Sequence, residues 1–117
     1  MEETKKISYA DPRIKEIINA CFPDYRGRKV RVTNYIPSRL DSWWDGGSRD
    51  YFVFYQPQTR KVFHVHSNHP VFEPNQPKTV NPEAIPEDVL LVKHTIFCGR
   101  DIGITIHVKQ EQMKLLE

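Results

Sequence analysis

The sequence predicts an α+β fold in which an N-terminal helix packs on a mostly antiparallel sheet of about five strands. Three observations lead to this expectation: one apolar stripe with helical spacing near the start, strand-like runs after it, and short connections that suit hairpins. The chain of 117 residues lacks any run of the roughly 20 apolar residues that a membrane helix needs. It is therefore expected to form a single domain, 1–117, with no membrane contact.

The helix is predicted to begin at Asp11 and Pro12, because Asp is a favoured N-cap and Pro is tolerated at the first helical position. Pro23 ends it, since proline lacks the backbone donor that a helix interior needs. The apolar stripe that packs on the sheet consists of Ile14, Ile17, Ile18 and Cys21.

The predicted strands cover residues 28–36, 51–56, 62–67, 89–97 and 104–109. The second and third flank the four-residue loop 57–60 and form a hairpin, in which Phe54 opposes Phe63 and Phe52 opposes Val65. We expect that apolar face to be core. The opposite face is aromatic and rich in imidazole, an unusual composition for plain exposure, with Tyr51, Val53, Tyr55, Val62, His64 and His66.

The run 89–97 is apolar at both parities, which predicts a central strand. Residues 99–103 are predicted to form the loop to the last strand, in a register that aligns Ile96 with Ile106. A four-residue loop aligns Thr95 with Ile106 instead.

Five prolines between residues 70 and 88 predict an extended loop without regular structure. It is either a functional segment or a strap that covers one end of the sheet. Residues 1–8 and 110–117 are expected to fray, although 110–117 can also form a last helical turn.

Two glycine-bearing loops form the leading candidate for a binding site. Glycine allows close approach of a ligand, backbone amides bind anions, and arginine and aromatic side chains suit bidentate contacts and stacking. The candidate residues are Trp43, Trp44, Asp45, Gly46, Gly47, Ser48, Arg49, Asp50, Tyr51, Arg100 and Asp101. The alternative is structural, because Asp-Gly-Gly-Ser is an ordinary turn and an Arg-Asp pair can be a loop salt bridge.

Three histidines, His64, His66 and His69, form a second candidate. His64 and His66 share one face of a strand at roughly 7 Å, close enough to share one ion, with His69 as a third ligand. Three ligands and a water would make an open zinc site of a metal-dependent hydrolase, with Asp50 as ligand or base. We favour the alternative of structural or surface histidines and expect no cofactor.

Arg26, Arg28, Lys29 and Arg31 form a basic run, the third candidate. It either contacts an anionic partner such as a nucleic acid or belongs to a solvated edge strand, where basic residues discourage edge-to-edge pairing. The net charge of +2 is too small to decide.

Cys21 and Cys98 form no disulfide framework, and the N-terminus lacks an apolar signal region, which together predict a cytoplasmic setting. Cys98 lies four residues beyond His94, about 13 Å along a strand, too far for a nucleophile–base pair. With no paired carboxylates and no serine elbow, an enzyme is not favoured.

The segments 43–51 and 93–106 resemble small uncharacterised proteins encoded by bacteria and bacteriophages. The resemblance spans roughly residues 20–109. It implies a compact intracellular domain with an accessory role in a phage, and it transfers no catalytic residue. The sequence thus favours a small binding module that recognises a protein or an anionic ligand, including a nucleotide, through its glycine and aromatic loops. The metal-dependent hydrolase and the nucleic-acid binder remain alternatives.

Overall fold

The computed structural model describes residues 4–6, 11–27, 29–33, 48–65, 69–73, 79–109, 111–112 and 114. Within them one α-helix, α1 (Pro12–Cys21), lies against a main sheet of six strands, and two further short strands pair separately. The predicted α+β fold, with a helix on a mostly antiparallel sheet, is confirmed. No helix in this described part is long and apolar enough to cross a membrane.

Helix α1 begins and ends where its sequence predicts. The Asp11 carboxylate accepts a hydrogen bond of 2.9 Å from the Arg13 amide, which satisfies one unpaired donor of the first turn. At the other end the Phe22 amide donates to the Ile18 carbonyl at 2.7 Å. The predicted stripe is buried throughout and packs on the sheet: Ile14, Ile17, Ile18 and Cys21.

The main sheet consists, in spatial order, of β1 (Thr4–Lys6), β2 (Val30–Thr33), β8 (Arg100–His107), β7 (Leu90–Phe97), β3 (Ser48–Gln56) and β4 (Lys61–His64). Among these described strands β2 and β8 form the parallel pair, and the other neighbours are antiparallel. Strand β7 is central, as its two-sided apolar sequence predicts. The expectation that the basic run forms an edge strand is wrong, because β1 pairs with the outer side of β2.

The β3–β4 hairpin has the predicted register. Phe54 pairs with Phe63 across the turn at 57–60, and the Val65 amide donates to the Phe52 carbonyl at 3.3 Å. The opposite face, however, also belongs to the core, since Val53 and Tyr55 are buried beneath α1.

Both faces of the sheet are covered, each by a separate apolar cluster. On one face, which we call the helix face, α1 packs on Val53, Val92 and Ile106. On the other, which we call the strap face, Phe52 and Leu91 pack on residues contributed by the segment between β4 and β7. Covering both faces explains why β3 and β7 carry apolar side chains at both parities.

The strap, as we call residues 69–73 and 79–89, is more ordered than its sequence predicts. It contains the paired strands β5 (Phe72–Glu73) and β6 (Thr79–Val80) and a 3-10 turn, Pro82–Ala84. Its buried apolar side chains are Val71, Phe72, Ile85 and Val89. They are spaced too irregularly to show a period, so the sequence predicts a structureless loop. The strap lies across a face of the sheet rather than across one end.

A buried glutamine holds the strap to the region after β8. The Gln112 side-chain amide donates to the carbonyls of Val89 (2.6 Å) and Pro86 (3.1 Å), and its oxygen accepts from the Lys109 amide at 2.9 Å. Only 2% of Gln112 is exposed, so this part of the predicted fraying end is fixed by polar contacts.

Candidate binding site at one end of the sheet

The turn between β7 and β8 is shorter than predicted. Cys98 and Gly99 form a two-residue turn with φ of 51° and 77°, as a mirror-image type I′ hairpin turn requires, and Phe97 pairs with Arg100. The predicted loop 99–103 is therefore wrong. So are both predicted registers, because Ile106 pairs with Val92.

A bulge next to this turn absorbs one residue of β8. Thr95 pairs with Gly103 and Ile96 pairs with Asp101, which leaves Ile102 as the extra residue. The bulge shifts the alternation of side chains, so Asp101 lies on the same face of the sheet as Ile96 and His94.

The described part of the first glycine-bearing segment, residues 48–51, meets the second segment at this end of the sheet. Ser48, the first residue of β3, pairs with Phe97 directly beside the Cys98–Gly99 turn, and Asp50 pairs with Thr95. The rest of the first segment lies outside the described residues: Trp43, Trp44, Asp45, Gly46 and Gly47, together with the side chains of Ser48 and Arg49.

The basic run reaches the same end. The Lys29 carbonyl accepts a hydrogen bond of 3.1 Å from the Ile104 amide, and the Arg26 amide donates to Asp101 Oδ2 at 2.6 Å. Arg26, Lys29 and Arg31 are exposed, whereas Arg28 lies outside the described residues. We call the assembled region, residues 24–27, 29–31, 48–51 and 94–103, the Cys98 end of the sheet.

A histidine–aspartate pair lies at the centre of the Cys98 end. His94 Nε2 and Asp101 Oδ1 are 2.9 Å apart, and His94 is 7% exposed. The sequence did not indicate a role for His94. The signal that could have found the pair is Cys98-Gly99, because a glycine at the second position favours a two-residue turn that brings Asp101 onto the His94 face.

Aromatic rings enclose the His94 imidazole. The ring centroid of His94 lies 4.8 Å from that of Phe22, 5.2 Å from that of Tyr25 and 6.4 Å from that of Tyr51. The Tyr25 hydroxyl donates to the Lys29 carbonyl at 2.8 Å, and a Cβ at Gly27 would overlap the Tyr25 ring. These contacts fix residues 22–27 and Lys29 against β7 and β8. The enclosed His94–Asp101 pair holds β7, β8 and the loop after α1 together, and so positions the exposed groups around it.

A second candidate carboxylate, that of Asp50, is also hydrogen-bonded within the sheet. Asp50 Oδ1 accepts a hydrogen bond of 2.7 Å from the Thr95 hydroxyl in the cross-strand pair. Asp50 and Asp101 thus position neighbouring strands, while the cationic side chains of Arg26, Lys29 and Arg100 are exposed to solvent.

The two described candidate metal ligands, His64 and His69, do not converge. His64 pairs with Val53 and so lies on the helix face. The His69 ring packs on Phe54 of the strap face, with the two ring centroids 5.4 Å apart. His69 Nδ1 also accepts a hydrogen bond of 3.0 Å from the Val71 amide, and His66 lies outside the described residues. Within the described ranges, no three His, Cys, Asp or Glu side chains are grouped as around a metal ion. The geometry gives the zinc-hydrolase alternative no support.

In comparisons with protein-family models, curated proteins and solved structures, this chain matches none of them.

Proposed function

We propose that the protein is a non-enzymatic binding module that recognises an anionic partner through the Cys98 end of its sheet. The observation that carries the proposal is the pairing of Ser48 with Phe97 together with the Arg26–Asp101 hydrogen bond. Through these contacts, segments that are far apart in the chain combine into one surface.

The charge distribution favours an anion at this surface. Segments 24–27, 29–31, 48–51 and 94–103 contain five Lys and Arg against three Asp, whereas the rest of the chain contains twelve Lys and Arg against twelve Asp and Glu. Two of the three aspartates, Asp50 and Asp101, accept internal hydrogen bonds. Exposed cations that outnumber the nearby carboxylates attract anions and accelerate their association.

The exposed groups suit binding better than catalysis. His94 is paired with an aspartate, as the histidine of a general base often is. Its imidazole, however, is buried among aromatic rings, and its Nε2 is bonded to Asp101. The intracellular and phage-type accessory setting is part of this proposal. It rests on the sequence resemblance and on two cysteines that are both unpaired.

Heparin-affinity chromatography of three proteins tests the proposal. The variant Arg26→Gln/Lys29→Gln/Arg100→Gln is expected to elute at lower salt than the wild type, because three contacts to the polyanion are lost. The matched control, Arg60→Gln/Lys61→Gln/Lys114→Gln, removes the same charge elsewhere and is expected to elute later than the site variant. Equal elution of the two variants would mean that only net charge matters, and the proposed site would be rejected.

A further inference from the structure

Exposed apolar side chains are concentrated at the same end of the sheet as the exposed cations. Among the described residues, Tyr51, Phe63, Phe97 and Ile102 are the large hydrophobic side chains that are exposed, each by 43–48%. Three of them belong to the Cys98 end, and the exception is Phe63 on the edge strand β4.

The two exposed aromatic rings at the Cys98 end belong to Tyr51 on β3 and Phe97 on β7. Tyr51 pairs with His94, and Phe97, three residues further along β7, pairs with Ser48 and Arg100. Three residues of a strand span roughly 10 Å, and an odd number of steps places Phe97 on the face opposite to His94 and Tyr51. A ligand that contacts both rings must therefore cross the end of the sheet, where Arg100 is exposed.

We infer that the anionic partner is a single-stranded nucleic acid, whose phosphates contact Arg26, Lys29 and Arg100 while its bases stack on Tyr51 and Phe97. This inference rests on the proposed function. Single strands are bound by cationic surfaces that carry exposed aromatic rings, since each base offers a flat face for stacking. A duplex keeps its bases paired and stacked on one another, so these rings have no base face to contact. The aromatic rings thus distinguish a single strand from other polyanions.

Fluorescence anisotropy with two labelled probes tests the inference. One is an oligothymidylate of about 15 nucleotides, within the range that single-strand binding folds cover. The other is an abasic strand with the same number of phosphates. The wild type is expected to bind the oligothymidylate roughly fivefold or more tightly than the abasic strand, because only the former stacks. A duplex of equal length is expected to bind more weakly than the oligothymidylate.

Two variants and a matched control locate the stacking. Tyr51→Leu and Phe97→Leu are each expected to weaken oligothymidylate binding roughly fivefold while leaving the abasic strand unaffected. Phe63→Leu removes an equally exposed ring far from the Cys98 end and is expected to change neither affinity. Thermal unfolding of each variant verifies that it folds. Tyr51→Leu also removes a ring that packs beside His94. Phe97→Leu therefore serves as the independent probe of stacking.

The outcomes separate the inference from the proposed function. Equal affinity for the oligothymidylate and the abasic strand, or unchanged binding by both Tyr51→Leu and Phe97→Leu, overturns the inference. If the heparin result still depends on Arg26, Lys29 and Arg100 in that case, the anion-binding surface stands and its partner is another polyanion, such as an acidic protein. If heparin retention does not depend on them, both proposals fail.

Discussion

At the residue scale, Cys21 and Cys98 show that the same thiol side chain has a different environment at two positions in the fold. Cys98 is exposed in a turn with positive φ, while Cys21 is buried in the stripe of α1. Burial raises the pKa of the Cys21 thiol from 9.0 to about 12, because the thiolate is poorly solvated among apolar groups. Burial and the nearby Glu16 carboxylate raise the pKa of Tyr55 beneath the same helix. Both groups therefore favour the protonated, neutral form in the folded protein.

The raised pKa of Cys21 predicts alkaline destabilisation. The unfolded chain loses this proton from about pH 9 and the folded protein only near pH 12, so the stabilisation is complete below pH 9 and is lost as pH rises toward 12. In Cys21→Ala the free energy of unfolding should fall less steeply in this window, by about 1 kcal/mol per pH unit. Denaturant unfolding at several pH values measures the difference.

Cys98→Ser is the matched control, because it removes an exposed thiol. Its pH profile of unfolding free energy should run parallel to that of the wild type. If Cys21→Ala also runs parallel to the wild type, the thiol does not remain protonated in the folded protein.

At the scale of elements, one carboxylate joins three parts of the fold. Asp101 on β8 contacts His94 on β7 and the amide of Arg26 in the loop after α1. The loop carries the exposed cations Arg26 and Lys29, so its attachment to the hairpin determines where those charges lie. Gln112 performs a comparable structural role for the strap.

Replacing this carboxylate should loosen the attachment. Asp101→Asn keeps the shape but has a single acceptor oxygen for two partners, so we expect a loss of about 1–3 kcal/mol in the free energy of unfolding. Asp50→Asn is the control, because its amide oxygen can still accept from the Thr95 hydroxyl. Its cost should be smaller, below about 1 kcal/mol. Equal losses in chemical denaturation would contradict a special role for Asp101.

At the scale of the whole molecule, the sheet order determines where stability is concentrated. Strand β7 lies between β8 and β3 and is buried from Leu90 to Val92, with both faces covered. Strand β4 is an edge whose residues Lys61, Phe63 and His64 are exposed. Local opening is easier where backbone hydrogen bonds are exposed and few apolar contacts are lost.

Native-state hydrogen exchange should therefore follow the sheet order. The amides of Leu91 and Val92 are expected to exchange only through global unfolding, with protection close to the full free energy of unfolding. The amides of Val62 and Phe63 should exchange through local opening and far faster. Comparable protection of the two strands would contradict the packing described for β7.

The elements whose signals are local could be read from the sequence. The Asp11 cap, the spacing of Ile14 to Cys21 and the four-residue loop at 57–60 each depend on a few neighbouring residues, and the structure has them as predicted. The order of the strap was missed because its buried residues follow no period. The placement of β2 was missed because residues 4–6 carry little strand signal of their own.

The candidate site was only partly readable for the same reason. The sequence by itself determined the helix, the β3–β4 register and the identity of the glycine-bearing segments, since steric and hydrogen-bonding preferences act over short stretches of chain. Only the tertiary structure decided that residues 48–51 lie beside the Cys98–Gly99 turn and that Asp101 faces His94. That outcome depends on a one-residue bulge and on a contact between residues 75 positions apart. A bulge reverses the face of every side chain beyond it, and strand order depends on burial summed over the whole sheet, so no single stretch of sequence specifies either.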